Sequence, residues 1–231
     1  MAKKFCFKLI KLGRNTGIGY AQNVAMSFFI TKNKKYFLFL DQDSNILPKQ
    51  FIQLVNDFET IQTIDSSIVL LGPSLDMDGI LVSSGSEFVK VDKVISSGSL
   101  MLASALNSVG KFKAEFFIDF IDYEWCYRAA KKGKGIYQDN QVVMEHETEG
   151  VPRKHGHTID SEFRLYYIFR NSTYLIFYEG VAASVKGNIL LRNTGKLLFQ
   201  LCLDHPFSRL KQCNRGIWDG LRGKLTNIES N

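Results

Sequence analysis

The stretch Tyr36-Phe37-Leu38-Phe39-Leu40-Asp41-Gln42-Asp43-Ser44 leaves the chain the fewest choices. Five apolar residues in a row, lysines before them and acids after, predict a buried strand that ends by presenting two carboxylates one residue apart. Side chains alternate along a strand, so Asp41 and Asp43 project to the same side. Hard oxygen donors so placed suit Mg2+ or Mn2+, ions held by one or two carboxylates together with substrate phosphates. The competing reading is a plain turn, because Asp, Asn and Ser are turn formers.

Two further ligand readings start from neighbouring residues. Asp41, Asp43 and Asn45 open like a calcium-binding loop, but Ile46 stands where the sharp turn needs Gly and Ile52 where a bidentate Glu belongs, so that reading fails. Gly17-Ile18-Gly19-Tyr20-Ala21-Gln22 imitates a dinucleotide fingerprint with Asp41 some twenty residues on. Gln22 replaces its third glycine, which leaves a nicotinamide-dependent oxidoreductase as a minor alternative.

The rest of the chain predicts strands alternating with helices. Phe5 to Leu12 reads as an edge-like strand, Tyr20 to Thr31 as a helix, and Pro48 as the first turn of a helix striped by Phe51, Ile52, Leu54, Val55 and Phe58. Ile68 to Leu71 resumes the sheet, short strands and turns run to Ser99, and Gln141 to His146 is another strand. Asp160 is a capping candidate for a helix reaching about Tyr178. Beyond Gly180, apolar residues from Val181 to Leu201 line a long helix interrupted at Gly187 and Gly195. The alternation implies an α/β domain with a mostly parallel sheet, whose ligands gather at the carboxyl ends of strands.

A second acidic group is Asp119-Phe120-Ile121-Asp122-Tyr123-Glu124, with Arg128 one turn beyond Glu124. Asp122 reads as a helix N-cap, and Glu124 with Arg128 as an intrahelical ion pair. Against that bland reading, Asp119 and Asp122 sit among Phe, Ile and Trp, and carboxylates in apolar surroundings hold their protons more tightly, which suits a general base. Glu145-His146-Glu147 with His155 and His157 invites a zinc site, but the spacing is not that of a metalloprotease helix and no Cys lies near. A single imidazole, His146, completing the site of Asp41 and Asp43 is the better use of the cluster.

Charge and cysteine usage bound the partners. Of 29 Lys and Arg and 23 Asp and Glu, nine basic and four acidic residues lie from Leu165 onward, so the net charge of +6 belongs largely to the tail. A basic face suits an anionic substrate or peripheral contact with an anionic membrane, and a solvated surface accounts for it equally well. No nucleic-acid-binding module is recognisable. Four scattered cysteines without C-x-x-C spacing, and no N-terminal signal pattern, predict reduced thiols in a cytoplasmic protein.

Taken in order, Asn15 to Asn23, Asp41-Gln42-Asp43-Ser44, Ile95 to Ser99, Phe117 to Arg128, His146, Tyr166 to Asn171 and Arg215 to Lys224 resemble the family two glycosyltransferases. Within that family they are most similar to bacterial rhamnosyltransferases of O-antigen and other surface polysaccharide synthesis. The resemblance implies a GT-A-like fold: a truncated catalytic domain over residues 1–160 and a C-terminal helical extension over 161–231, packed on it or on a membrane surface. It implies that Asp41, Asp43 and His146 hold Mg2+ or Mn2+ against the diphosphate of a nucleotide sugar, dTDP-L-rhamnose. Asp122 matches the family's base, Glu124 and Arg128 would orient it, and Ser97, Gly98 and Ser99 would lie near the sugars. Asn15, Gln22 and Asn23 fall where the family contacts the nucleotide, and Arg170 where it contacts substrate. The implied acceptor is a lipid-linked or polysaccharide glycan, and the implied workplace the cytoplasmic face of the inner membrane.

The chain departs from the family at its start. Members begin with two further strand and helix units, on the order of 50 residues, that carry much of the nucleotide pocket. The expectation is therefore a chain lacking those units, and the alternative to an active transferase is a truncated remnant that binds carbohydrate or a partner chain.

Overall fold

The computed structural model describes residues 8–77, 80–81, 87–145, 152–154 and 156–225. Its frame is a six-stranded sheet. Helix α1 (Ile18–Ile30) leads to β1 (Tyr36–Leu38), α2 (Pro48–Ile64), β2 (Ile68–Met77), β3 (Ile80–Leu81), β4 (Phe88–Lys90) and β5 (Leu100–Leu102). Then come α3 (Ala105–Ser108), a 3-10 turn at Ala114–Phe116, α4 (Ile121–Lys131) and β6 (Gly135–Glu145). A small hairpin of β7 (Arg153–Lys154) and β8 (His157–Thr158) precedes three helices, α5 (Glu162–Tyr178), α6 (Ala183–Gln200) and α7 (Pro206–Leu221).

The strands lie in the order β1, β5, β2, β6, β4, with β3 on β2. Among the described residues only β2 and β6 pair in parallel, and the other strand pairs are antiparallel, so the expected mostly parallel sheet is corrected to a mixed one. The cause is β5. Leu100-Met101-Leu102 inserts between β1 and β2 and runs against both, and a three-residue apolar strand carries no sequence mark of its direction. The expected strand at 5–12 lies outside the described residues as far as Phe7, and Lys8 to Leu12 form no ladder.

Alternation along β1 and β5 divides the core into two layers. Phe37, Phe39 and Met101 face a large cluster with Met26, Trp125, Cys126, Ile136, Leu165 and Phe169. Leu100, with Ile68, Leu71 and Val142, faces Leu54, Phe58 and Ile61 of α2. The stripe expected on α2 is thus partly corrected: Leu54 and Phe58 are buried, whereas Phe51 and Ile52 face solvent, because Ile61 rather than Ile52 continues the inward face.

The C-terminal helices differ from expectation in two details. Ser161, not Asp160, caps α5, its hydroxyl accepting from the Arg164 N–H. Helix α6 runs without a break through Gly187 and Gly195, where a Cβ would meet nothing, so neither glycine terminates it. Ile189 and Asn193 face inward, the Asn193 amide donating to the Ser172 hydroxyl, while Leu190, Leu191, Leu198 and Leu201 are exposed. Among the described residues no helix is long and apolar enough to cross a membrane, and Cys126, Cys202 and Cys213 are free thiols.

Candidate active site

The chain leaves β1 at Leu38, and Phe39 makes one parallel bridge to Ser97 before the acidic segment begins. The buried Ser97 hydroxyl fixes that segment: it accepts from the Asp41 N–H at 3.1 Å and donates to the Ser44 hydroxyl at 2.6 Å. Gly98 is required by packing. Its φ is +77°, and a Cβ would stand 2.6 Å from the Met144 Sδ and 2.8 Å from the Pro73 ring. Ser99 is buried and donates to the Ile95 carbonyl.

Opposite lies the loop that precedes α4. Phe117, Asp119 and Phe120 all have φ near +65°, unusual for residues with side chains. At Phe117, with ψ −62°, the Ile118 N–H donates back to the Phe116 carbonyl at 2.7 Å, the rare tight three-residue turn. Such a backbone persists only where its surroundings over-determine it. Here Arg170 and Asn171 of α5 do so. The fully buried Arg170 donates to the carbonyls of Glu115 and Phe116, and the Asn171 amide to those of Phe116, Ile118 and Asp119 at 2.8–2.9 Å. Phe120 then serves as the left-handed cap of α4, and Asp122, expected as the cap, is the second residue of the helix.

Asp122 accepts from the Ser96 N–H at 3.2 Å and the Tyr123 N–H at 2.9 Å. Burial nevertheless pushes its carboxyl up to about 6, because desolvation of the charge outweighs those donors. Asp119 is held differently: Arg164 grips it with both Nε and Nη2 at 2.8–3.1 Å.

These pieces surround a cavity of about 840 Å³. Asp41, Asp43, Ser97, Gln22, Asp119 and Asp122 all line it, so six of the residues singled out in the sequence share one space. Gln22 reaches across to the Ser96 hydroxyl at 3.3 Å. The others stand behind the wall. Asn15 accepts from the Gly17 N–H and so forms the turn into α1, and Asn23 exchanges two hydrogen bonds with the Phe112 backbone. Glu124, buried, receives two bonds from Arg128, whose remaining donors reach the Val109 and Lys111 carbonyls. Gly98, Ser99, Glu124, Arg128 and Arg170 therefore brace the lining and do not line it. His146 lies outside the described residues, as do Glu147 and His155 of the proposed histidine cluster.

Sequence reasoning missed the far wall: Asp160, Arg164, Arg192 and Lys196, from α5, α6 and the segment before them. Asp160 pairs with Lys196, and Arg164 with Asp119. The spacing of Asp160 to Arg164 and of Arg192 to Lys196 was visible, but only the tertiary fold turns these residues toward Asp122.

The expected strand is shorter than its apolar run: β1 ends at Leu38, and Asp41 and Asp43 stand in the turn beyond it, where the Ser44 N–H donates to the Asp41 carbonyl at 3.2 Å. Two carboxylates on one cavity wall still match the donor chemistry of a Mg2+ or Mn2+ ion that shares its ligands with a phosphate. Among the described residues no group of three or more His, Cys, Asp and Glu gathers as a self-sufficient metal cage. The glycines of the fingerprint-like segment have another use. A Cβ on Gly17 would collide with the Phe117 backbone and one on Gly19 would crowd Ile121, so both let α1 dock on the loop that carries Asp122.

A mixed sheet with flanking helices and acids gathered round one cavity is compatible with a glycosyltransferase fold. In sequence, the chain is 29% identical over 189 residues to a Shigella flexneri protein named dTDP-rhamnosyl transferase RfbF, an alignment that takes in 73% of this chain and 62% of that protein. That similarity supports a glycosyltransferase family for the chain, which spans less than two thirds of its relative's length. No protein-family model matches it.

Proposed function

We propose that the chain is a metal-dependent, inverting glycosyltransferase that moves L-rhamnose from dTDP-L-rhamnose to a hydroxyl of a lipid-linked or polysaccharide acceptor. The observation that carries this reading is that Asp41, Asp43 and Asp122 line one cavity. The donor identity comes from the name of the Shigella relative.

Asp41 and Asp43 would hold Mg2+ or Mn2+, which supplies positive charge to the leaving diphosphate. Asp122 receives the acceptor's hydroxyl proton as that oxygen bonds to the anomeric carbon, while the bond from that carbon to the diphosphate breaks and dTDP departs with its electron pair. A carboxyl raised to about 6 is still mostly ionised at neutral pH and is a stronger base than an ordinary aspartate. Asp119, clamped by Arg164, keeps the loop in register. The basic C-terminal part, with the exposed leucines of α6, supports a peripheral location at a membrane that holds the lipid-linked acceptor.

The experiment is a calorimetric titration with dTDP-rhamnose, with and without Mn2+, followed by a transfer assay of Asp122→Asn. Metal-dependent donor binding, retained by Asp122→Asn while transfer is lost, is the expected result. A folded chain that does not bind the donor would overturn it in favour of a protein that binds carbohydrate or a partner chain without transferring a sugar.

A further inference from the structure

A second cleft, of about 350 Å³, opens beside the main cavity and shares Phe120 and Arg192 with it. Its other lining residues are Asp92, Lys93, Tyr127, Val185, Asn188 and Ile189, so neither Asp41 nor Asp43 reaches it. It therefore extends from the Asp122 loop away from the place of the donor diphosphate.

Its charges differ from those around Asp122. Arg164, Lys196 and Arg128 are each tied to a carboxylate, but Lys93 and Arg192 make no ion pair among the described residues. Each lies on an aromatic face: Arg192 over Phe120 at 4.6 Å and Lys93 over Tyr123 at 4.7 Å. Burial lowers the proton affinity of Lys93 and the charge of Arg192 lowers it further, while Asp92 and Asp122 act in the opposite sense without cancelling them, so the two cations repel one another across the cleft. Asp92 is the single carboxylate in the lining. Two cations set against an apolar and aromatic wall of Phe120, Tyr127, Val185 and Ile189 match a sugar ring that carries a negative group.

We propose that this cleft is an acceptor subsite and that it selects an acceptor bearing an oxyanion, a phosphate or a carboxylate, held between Lys93 and Arg192. The inference rests on the transfer reaction proposed above, since it assigns to the far side of Asp122 the molecule whose hydroxyl is deprotonated. It makes the basic surplus of the chain specific at this point: two cations face one cleft, neither closed into an ion pair among the described residues.

The test is a set of titrations of the full chain in EDTA, which removes metal-dependent binding at Asp41 and Asp43. The probes are glucose 1-phosphate for the phosphate arm, glucuronic acid for the carboxylate arm and methyl glucoside as the neutral control. Whichever anion is the true group should bind at least tenfold more tightly than methyl glucoside. The Lys93→Gln/Arg192→Gln pair should abolish that preference, and Asp92→Asn should strengthen it. Anions that bind wild type no better than the neutral glycoside, or bind the double variant as well as wild type, would overturn the subsite. Mn2+-dependent binding of dTDP-rhamnose to wild type, measured separately, reads the donor site, so a failure there is distinguishable from a failure here.

Discussion

Gly17 and Phe117 are packed so closely that a Cβ on the glycine would lie 2.5 Å from the Phe117 carbonyl oxygen. The Ile18 N–H donates to that same oxygen at 2.9 Å, so the start of α1 and the strained turn before Asp122 form one unit. Gly17 itself adopts φ +81° and ψ +162°, a region open essentially to glycine alone. Gly17→Ala is expected to cost on the order of 2–4 kcal/mol, from backbone strain and displacement of the loop together. Urea denaturation measures it. A variant as stable as wild type would mean that the helix and the loop are not coupled.

The raised proton affinity of Asp122 has a kinetic signature. A base must be ionised to accept the acceptor's proton, so the transfer rate should climb as pH rises through about 6, where an unperturbed aspartate would give its climb near 4. The rate–pH profile at saturating donor checks this. An acid limb near 4 would assign the base role to another carboxylate.

What the sequence made legible was local. The apolar run of β1 announced itself by its aromatics, and Asp41, Asp43 and Asp122 stood out as acids at the ends of apolar segments. The direction of β5 was not legible, because Leu100-Met101-Leu102 reads the same either way. Arg170 shows a contact that lies beyond local reading: the resemblance sets it beside the substrate, while in the fold it donates to the carbonyls of a loop 54 and 55 residues away in sequence. The cations of α6 were visible as charges, but nothing local says that Arg192 ends above the ring of Phe120.

Glu124 and Arg128 separate a supporting pair from a surface one. Glu124 is buried, and Arg128 also satisfies the carbonyls of Val109 and Lys111. Truncating the arginine would leave a buried carboxylate and the Lys111 carbonyl without donors, while Lys132 Nζ stays on the Val109 carbonyl at 3.2 Å, so Arg128→Ala is expected to cost about 3–5 kcal/mol. Lys35 with Glu59 is an exposed pair, and Lys35→Ala should leave the midpoint unchanged within error. Parallel urea melts compare the two, and equal effects would show that the Arg128 network carries no special weight.

Asp139 makes a prediction with a definite sign in pH. It is fully buried, its Oδ1 accepts from the N–H groups of Gln141 and Val142, and its Oδ2 has no partner among the described residues. Burial raises its proton affinity, and the buried Asp57 beside it raises it further. Above about pH 4 the unfolded chain has released this proton while the folded chain still holds it, so stability falls as pH rises toward the folded value. Asparagine cannot ionise and would offer its amide to Asp57 while its oxygen keeps the two backbone donors. Asp139→Asn is therefore expected to change stability by less than about 0.5 kcal/mol at pH 4 and to raise it on the order of 1–3 kcal/mol at pH 8. Urea melts at both pH values decide it, since an equal effect at the two would mean that ionisation of Asp139 is not what limits stability in the alkaline range.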